Sequence, residues 1–288
     1  MVTIKKAAEL TGVAEHTLRA WERRYGAVSA ARTASGYRDY DEDDLDRIRA
    51  MRDLVEAGWA PRDAAVEAKR AASSPAAAAD TADLLTAAAD LDEAGVARLV
   101  DAEFARDTFE TVVDGWLMPT LVLLGRAWAD GRVSVAGEHL VSSVVRTRLA
   151  AAYEAAAGSA EGPPVVIGAP PGVDHELGLL AFAAAARRAG VHTVYLGAQV
   201  PPKAWRDAVE KVGARGAVSS LHRRSDVARL VPVADALAGV SHIELWVGGR
   251  HQQRAPEPFR PLGHSIAAGC SLALAAVLGL SGCDRQTA

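Results

Sequence analysis

Between Trp128 and His139 the chain reads WADGRVSVAGEH, and a second stretch, PPGVDHELG, surrounds His175. An indole can lie against a flat ligand, and a neutral imidazole is among the commonest donors to a metal ion. Glu138 stands directly before His139, making a Glu-His pair separated from Trp128 by nine residues. Taken singly, these residues have plain readings: Trp128 as a core side chain, Glu138–His139 as a surface pair, His175 as a histidine that opens a helix. Taken together, on two separate segments, they are candidate donors to two faces of one bound cofactor. No acid–base pair or activated nucleophile accompanies them, so catalysis by side chains is not expected.

Such residues need rigid elements to hold them. Residues 81 to 158 carry no strand signal. Leu84, Leu85, Leu91, Val96, Leu99 and Val100 recur at helical intervals, as do Val112, Val113, Trp116, Leu117, Leu121, Leu124 and Trp128. Pro119 marks a kink or a junction. A further helix is expected from about Ser134 to Ala156 with Val141, Val144, Val145 and Leu149 inward. A four-helix bundle over residues 82–160 is the economical architecture. Trp128 then ends one helix and His139 lies in the second turn of the next, so a short turn brings both to one end of the bundle.

From Pro164 the texture changes. VVIGA (165–169), HTVYLG (192–197), GAVSSL (216–221) and HIELWVGG (242–249) are short β-rich runs. They alternate with the helical stretches HELGLLAFAAAARRAG, PKAWRDAVEKVG and SDVARLVPVADALAGV. The alternation predicts a Rossmann-like parallel sheet over 161–282. Ligands bind such sheets outside the carboxyl ends of the strands, which is where PPGVDHELG, SSL and GGRH fall.

At 288 residues, half of them hydrophobic, the chain is long enough for two or three domains. Aromatics are only 5% and alanine is abundant, which favours helices. The formal net charge of −4 gives no global sign of a nucleic-acid partner, but its distribution does. Up to Arg38 there are seven basic residues (Lys5, Lys6, Arg19, Arg23, Arg24, Arg32, Arg38) against three acids (Glu9, Glu15, Glu22). Cys270 and Cys283 lack metal or disulfide spacing. With no leader-like or spanning segment, a cytoplasmic chain without a membrane partner is expected.

The basic end has its own pattern. Thr3 can cap the helix IKKAAEL, which ends at Thr11–Gly12, and AEHTLRAWERRY follows at once. Two short helices joined by such a turn form a helix-turn-helix whose second helix enters the major groove. Val13, Leu18 and Trp21 would face inward, leaving His16, Thr17, Arg19 and Arg23 for base edges and phosphates. Ser35–Gly36 signals a hairpin, and Tyr37 and Arg38 would project from the resulting wing. Leu45, Ile48, Met51, Leu54 and Val55 continue a helix that GWAP breaks at Gly58–Pro61, and a last one runs to about Ala72. AASSPAAAAD, from Ala71 to Asp80, reads as a flexible tether, with the linker at 73–81.

The order TIKKAAELTGV, TLRAWERRYG, GYRDYDEDDLDRI over residues 1–72 resembles the winged helix-turn-helix of the MerR family, which binds operator DNA as dimers. The metal-binding cysteines of many such proteins are missing here. Further on, His175 and Gly178, then Ser219 and Leu221, then Gly248 and Gly249 are similar, in order, to the HxxG, SxL and GG signature of the cobalamin-binding Rossmann-like domain. That resemblance implies that His175 ligates cobalt from below, while Ser219 and the glycines line the slot for the cofactor's nucleotide tail. Val173 stands where that family has the carboxylate that orients the histidine.

With Trp128, nine residues and Glu138–His139 added, the chain as a whole resembles the CarH/LitR light-sensing repressors. The resemblance implies adenosylcobalamin as cofactor, held between bundle and Rossmann-like domain with its adenosyl group near Trp128 and Glu138. It also implies a dark homotetramer on operator DNA, and a lit form in which His139 takes the upper position on cobalt, the oligomer comes apart and DNA is released. Two readings share most of these residues: a light-independent cobalamin sensor, which has no need of His139, and a MerR-type regulator with another chromophore, which Val173 permits. A corrinoid carrier in methyl transfer would have no use for the DNA-binding head.

Overall fold

The computed structural model describes residues 2–26, 31–32, 38–56, 58–72, 75–157 and 161–277. The chain divides into two units, Met1–Asp107 with Gly115–Leu140, and Thr108–Asp114 with Val141–Ala288. One boundary between the units, Leu140–Val141, falls inside the last helix before the sheet.

In the first unit, β1 (Val2–Thr3) leads into α1 (Ile4–Thr11). The Thr3 hydroxyl accepts the Lys6 amide as an N-cap, and Gly12 ends the helix at φ 71°, a left-handed conformation that suits glycine. Helix α2 (Glu15–Tyr25) buries Leu18 and Trp21 and ends on a second left-handed glycine, Gly26. Strands β2 (Ala31–Arg32) and β3 (Arg38–Tyr40) pair antiparallel, and β3 also pairs with β1, forming the wing. The Ser35–Gly36 turn and Tyr37 lie outside the described residues. Helices α3 (Glu42–Glu56) and α4 (Pro61–Ala72) close the head over Leu18, Tyr40, Leu45, Ile48 and Met51.

Pro75–Ala89 forms helix α5, which corrects the flexible tether expected up to Asp80. Proline is well suited to the first helical position, and the alanine run behind it has the highest helix propensity of any residue type. Between α5 and α6 (Glu93–Arg106), Leu91 sits in a left-handed turn at φ 57° and is half exposed. Its spacing continues the helical apolar recurrence, but it lies in the turn between the helices; Leu84, Val96 and Val100 are buried. Pro119 does mark a junction: α7 (Phe109–Val112) passes through a π-helical turn, Val113–Leu117, into α8 (Met118–Ala129), where the proline occupies the first turn. Helix α9 (Val135–Ala155) starts where the Ser134 hydroxyl accepts the Gly137 amide at 3.1 Å, and it buries Val141, Val145 and Leu149 completely. Within the first unit α8 is tied to the head. Arg126 pairs with the Asp53 carboxylate and donates to Glu56 Oε2 at 2.9 Å and to the Asp53 carbonyl at 3.1 Å.

The second unit holds a parallel five-stranded sheet in the order β5-β4-β6-β7-β8. The strands are β4 (Glu161–Gly168), β5 (Val191–Gly197), β6 (Gly216–Ser220), β7 (Glu244–Gly248) and β8 (Arg260–Pro261). Helices α10 (Leu177–Arg188), α11 (Pro202–Val212), α12 (Asp226–Leu237) and α13 (Ile266–Val277) cover it. The four expected strands and three expected helices are present; β8 and α13 add to them. Both faces are covered, so β6 is buried at every residue, as its unbroken small and apolar run requires. Trp205, Leu230 and Val247 pack among the core residues. Asp114 caps α13 from far away in sequence, accepting the amides of Ile266 at 2.6 Å and Ala267 at 3.1 Å. Among the described residues no helix is long and apolar enough to cross a membrane.

Candidate functional site

The chain leaves β4 toward β5 on one side, whereas β6 lies on the other, so a crevice opens at the carboxyl ends of β4 and β6. Three turns line its approach. The first follows β4. Its start is fixed by the Ala169 amide donating to the Gly197 carbonyl and the Val200 amide donating to the Ala169 carbonyl, both at 2.9 Å. This turn delivers His175, exposed, two residues before α10. Val173 is buried, with its amide donating to the Pro170 carbonyl at 3.2 Å. The carboxylates beside His175 are engaged elsewhere. Asp174 accepts from the Gln199 amide group, while Glu176 accepts from the Tyr195 hydroxyl at 3.0 Å and pairs with Arg146 at 2.9 Å. Burial, with Glu176 adding to it, pushes the Tyr195 phenol well above its ordinary value.

The second turn follows β6. Ser219 and Ser220 are buried, and their hydroxyls have no hydrogen-bond partner in the described chain. An unsatisfied buried hydroxyl costs on the order of 1–3 kcal/mol, which a ligand able to bond it can recover. Leu221 is completely buried in the core; its amide donates to the Gly248 carbonyl at 3.0 Å and its carbonyl accepts the His251 amide at 2.9 Å. The third turn, Gly248–Gly249, is thereby laid against the second. Gly249 has φ 91°, and a Cβ there would lie 2.7 Å from the Leu221 carbonyl oxygen. At Gly178 and Gly248, by contrast, a Cβ would meet nothing within 4 Å, so the space beside each is open.

His222, which the sequence reading passed over, completes this group. Its ring stacks on that of His175 with centroids 5.2 Å apart and planes 22° apart. Desolvation, with His175 beside it, pushes His222 down to about 4, so both its nitrogens are not protonated together near neutrality. Asp226 fixes the turn by accepting the amides of His222 at 3.2 Å and Arg223 at 2.7 Å. The only sequence signal was its place, directly after the SxL at a strand's carboxyl end.

Trp128, Glu138 and His139 belong to the first unit. Trp128 is the next-to-last residue of α8 and is 48% exposed, an unusual state for a large indole. The turn behind it is tight, with the Arg132 and Val133 amides both donating to the Ala127 carbonyl. His139 is exposed in the second turn of α9, and its Nδ1 lies 2.8 Å from Glu138 Oε2. A carboxylate accepts, so Nδ1 carries the hydrogen and the lone pair of the neutral ring is left on Nε2. Among the described residues no group of three or more His, Cys, Asp or Glu could by itself hold a metal ion.

On the head, His16 and Arg23 are exposed on α2 and Thr17 is half-buried. Arg19 is exposed but pairs with Glu15 at 2.9 Å along the helix. Arg38 differs from expectation. It is bound to Glu22 at 2.5 Å, 30% exposed, and the hydrogen bond to that carboxylate raises its already high pKa. Instead of projecting from the wing, it fastens β3 to α2.

Comparison with known proteins accords with both halves of this arrangement. Residues 2–67 match the model of the MerR HTH family regulatory proteins, and residues 81–153 match that of the B12 binding domain. The chain is 35% identical over 219 residues to the HTH-type transcriptional repressor CarH of Myxococcus xanthus, covering 69% of this chain and 71% of that one. It is 31% identical over 254 residues to the HTH-type transcriptional repressor CarA of the same organism, covering 85% of each. The Methanosarcina barkeri monomethylamine corrinoid protein shares the fold at TM-score 0.55 and 14% identity, over 66% of this chain and 95% of that one. The chain is a transcriptional regulator with a B12-binding domain and belongs to the family of MerR-type regulators that includes CarH and CarA.

Proposed function

We propose that the chain is a light-responsive repressor that binds operator DNA as an adenosylcobalamin-loaded tetramer in the dark and lets go on illumination. The observation that carries this reading is the Glu138–His139 pair. Glu138 holds the hydrogen on Nδ1, which leaves Nε2 of an exposed ring ready to ligate a metal, a feature a sensor of cobalamin level alone does not need. The crevice of the second unit suits a corrinoid. His175 offers an exposed imidazole, Ser219 a buried hydroxyl without a partner, and Gly178 and Gly248 leave open the space a nucleotide tail would fill. In this reading His175 would ligate cobalt in the dark form, Trp128 and Glu138 would attend the adenosyl group, and His139 would ligate cobalt after illumination. When bound, adenosylcobalamin supplies a weak cobalt–carbon bond that light cleaves. Loss of the oligomer then weakens DNA binding without altering any DNA contact, because linked heads exceed the affinity of one by roughly 10²–10⁴-fold.

Gel filtration with adenosylcobalamin, in darkness and after green illumination, with absorption spectra, tests this. A dark oligomer that dissociates in light is expected, with a lit spectrum that His139→Ala changes. An oligomer indifferent to light would reduce the protein to a cobalamin-level sensor, and the absence of any cobalamin spectrum would sink the ligand.

We assign duplex contact to His16, Thr17, Arg19 and Arg23 on α2, with Arg38 in a supporting part. Arg23→Ala is expected to weaken operator binding and to lower the slope of log affinity against log salt by about one, the signature of one lost phosphate contact. Arg38→Ala is expected to act mainly on the head's thermal stability, since Glu22 occupies its guanidinium. An unchanged salt slope for Arg23→Ala would remove that residue from the interface.

A further inference from the structure

Val173 leaves His175 without the carboxylate that would orient it. The two acids flanking the histidine are committed to Gln199, Tyr195 and Arg146. An axial ligand that swings freely binds a metal poorly, because the ring must be held in one plane at an ordering cost on every binding event. Here the ring is not free. His222 comes from the other side of the crevice, on the turn after β6, and meets His175 face to face at 5.2 Å. That turn is itself rigid: Asp226 takes the amides of His222 and Arg223, and the Leu221 peptide is bonded on both sides to the Gly248–His251 turn.

We propose that His222 is the positioning residue for His175, setting the plane of the imidazole by stacking in place of the missing carboxylate. The inference rests on the reading of His175 as the cobalt ligand. It specifies that what matters at position 222 is a flat ring on a fixed turn rather than a hydrogen bond to Nδ1.

The test is titration of the full-length protein with hydroxocobalamin, in parallel for wild type, His175→Ala, His222→Ala and His222→Phe, reading the dissociation constant and the visible spectrum. His175→Ala defines the spectrum without the protein ligand. His222→Ala is expected to bind about 10-fold more weakly, the lower end of the effect of removing an outer partner of a metal ligand, and to shift toward the His175→Ala spectrum. His222→Phe, which keeps the ring and lacks the nitrogens, is expected to restore both readouts. A residue that served packing alone would move stability but leave the spectrum of the bound protein unchanged. Wild-type affinity and spectrum in His222→Ala would overturn the proposal, and so would a His222→Phe protein as impaired as His222→Ala. The phenylalanine variant also answers the question should the alanine variant fail to fold. If wild type and His175→Ala give the same spectrum, the ligand assignment itself fails and this inference falls with it.

Discussion

Alanine at Gly249 is expected to destabilise the second unit by about 3 kcal/mol. Two terms add. At φ 91° an L-residue bears strain on the order of 1–3 kcal/mol. The new Cβ would also stand 2.7 Å from the Leu221 carbonyl oxygen and 3.0 Å from its carbon, atoms of a peptide bonded on both sides that cannot retreat as a side-chain tip would. For a unit of this size the loss corresponds to a midpoint lowered by roughly 6–12 °C. Calorimetry or thermal denaturation by circular dichroism without ligand reads it directly. A midpoint within a degree or two of wild type would mean that the two turns are not locked as described.

Leucine at Gly178 is expected to do the reverse, harming ligand binding while sparing the fold. Gly178 is the second residue of α10, where a Cβ meets nothing within 4 Å. Replacing a helical glycine removes up to about 1 kcal/mol of propensity cost, so the ligand-free protein should melt no lower than wild type. The branched side chain then occupies the space proposed for the nucleotide tail. Affinity for cobalamin should fall by more than about tenfold, which is 1.4 kcal/mol. Spectroscopic titration decides the matter: wild-type binding by Gly178→Leu would empty the slot assignment. The two glycines lie in one signature, yet only at Gly249 does the surrounding backbone leave no room for a side chain.

The sequence made the elements legible where periodicity is local. The helix caps at Thr3 and Gly12, the buried face of α2 and the four long strands all follow from residues within a few positions of one another. It was less informative where a pairing joins distant segments. Arg38 looked like a free wing arginine because Glu22 is 16 residues away, and nothing local announces that pair. His222 escaped notice for the same reason: its stack on His175 depends on the register of two turns set by β4 and β6. Leu91 and the expected tether are errors of another kind. An apolar period was carried through a turn in the first case, and in the second the small-residue composition outweighed the alanine helix propensity that prevailed.

Arg126 gives the first unit a property that belongs to neither head nor bundle alone. It stands two residues from Trp128 on α8 and is held by Asp53 and Glu56 of α3, while Arg52 of α3 donates to the Thr11 carbonyl at the end of α1. Where such a connection couples two binding events, the coupling free energy is reciprocal. By whatever factor a ligand at Trp128 alters the grip on an operator, the operator alters the grip on that ligand by the same factor. Where the ligand strengthens that grip, copies seated on DNA would be the last to surrender it as its supply falls, and the operator itself would act as a store of it.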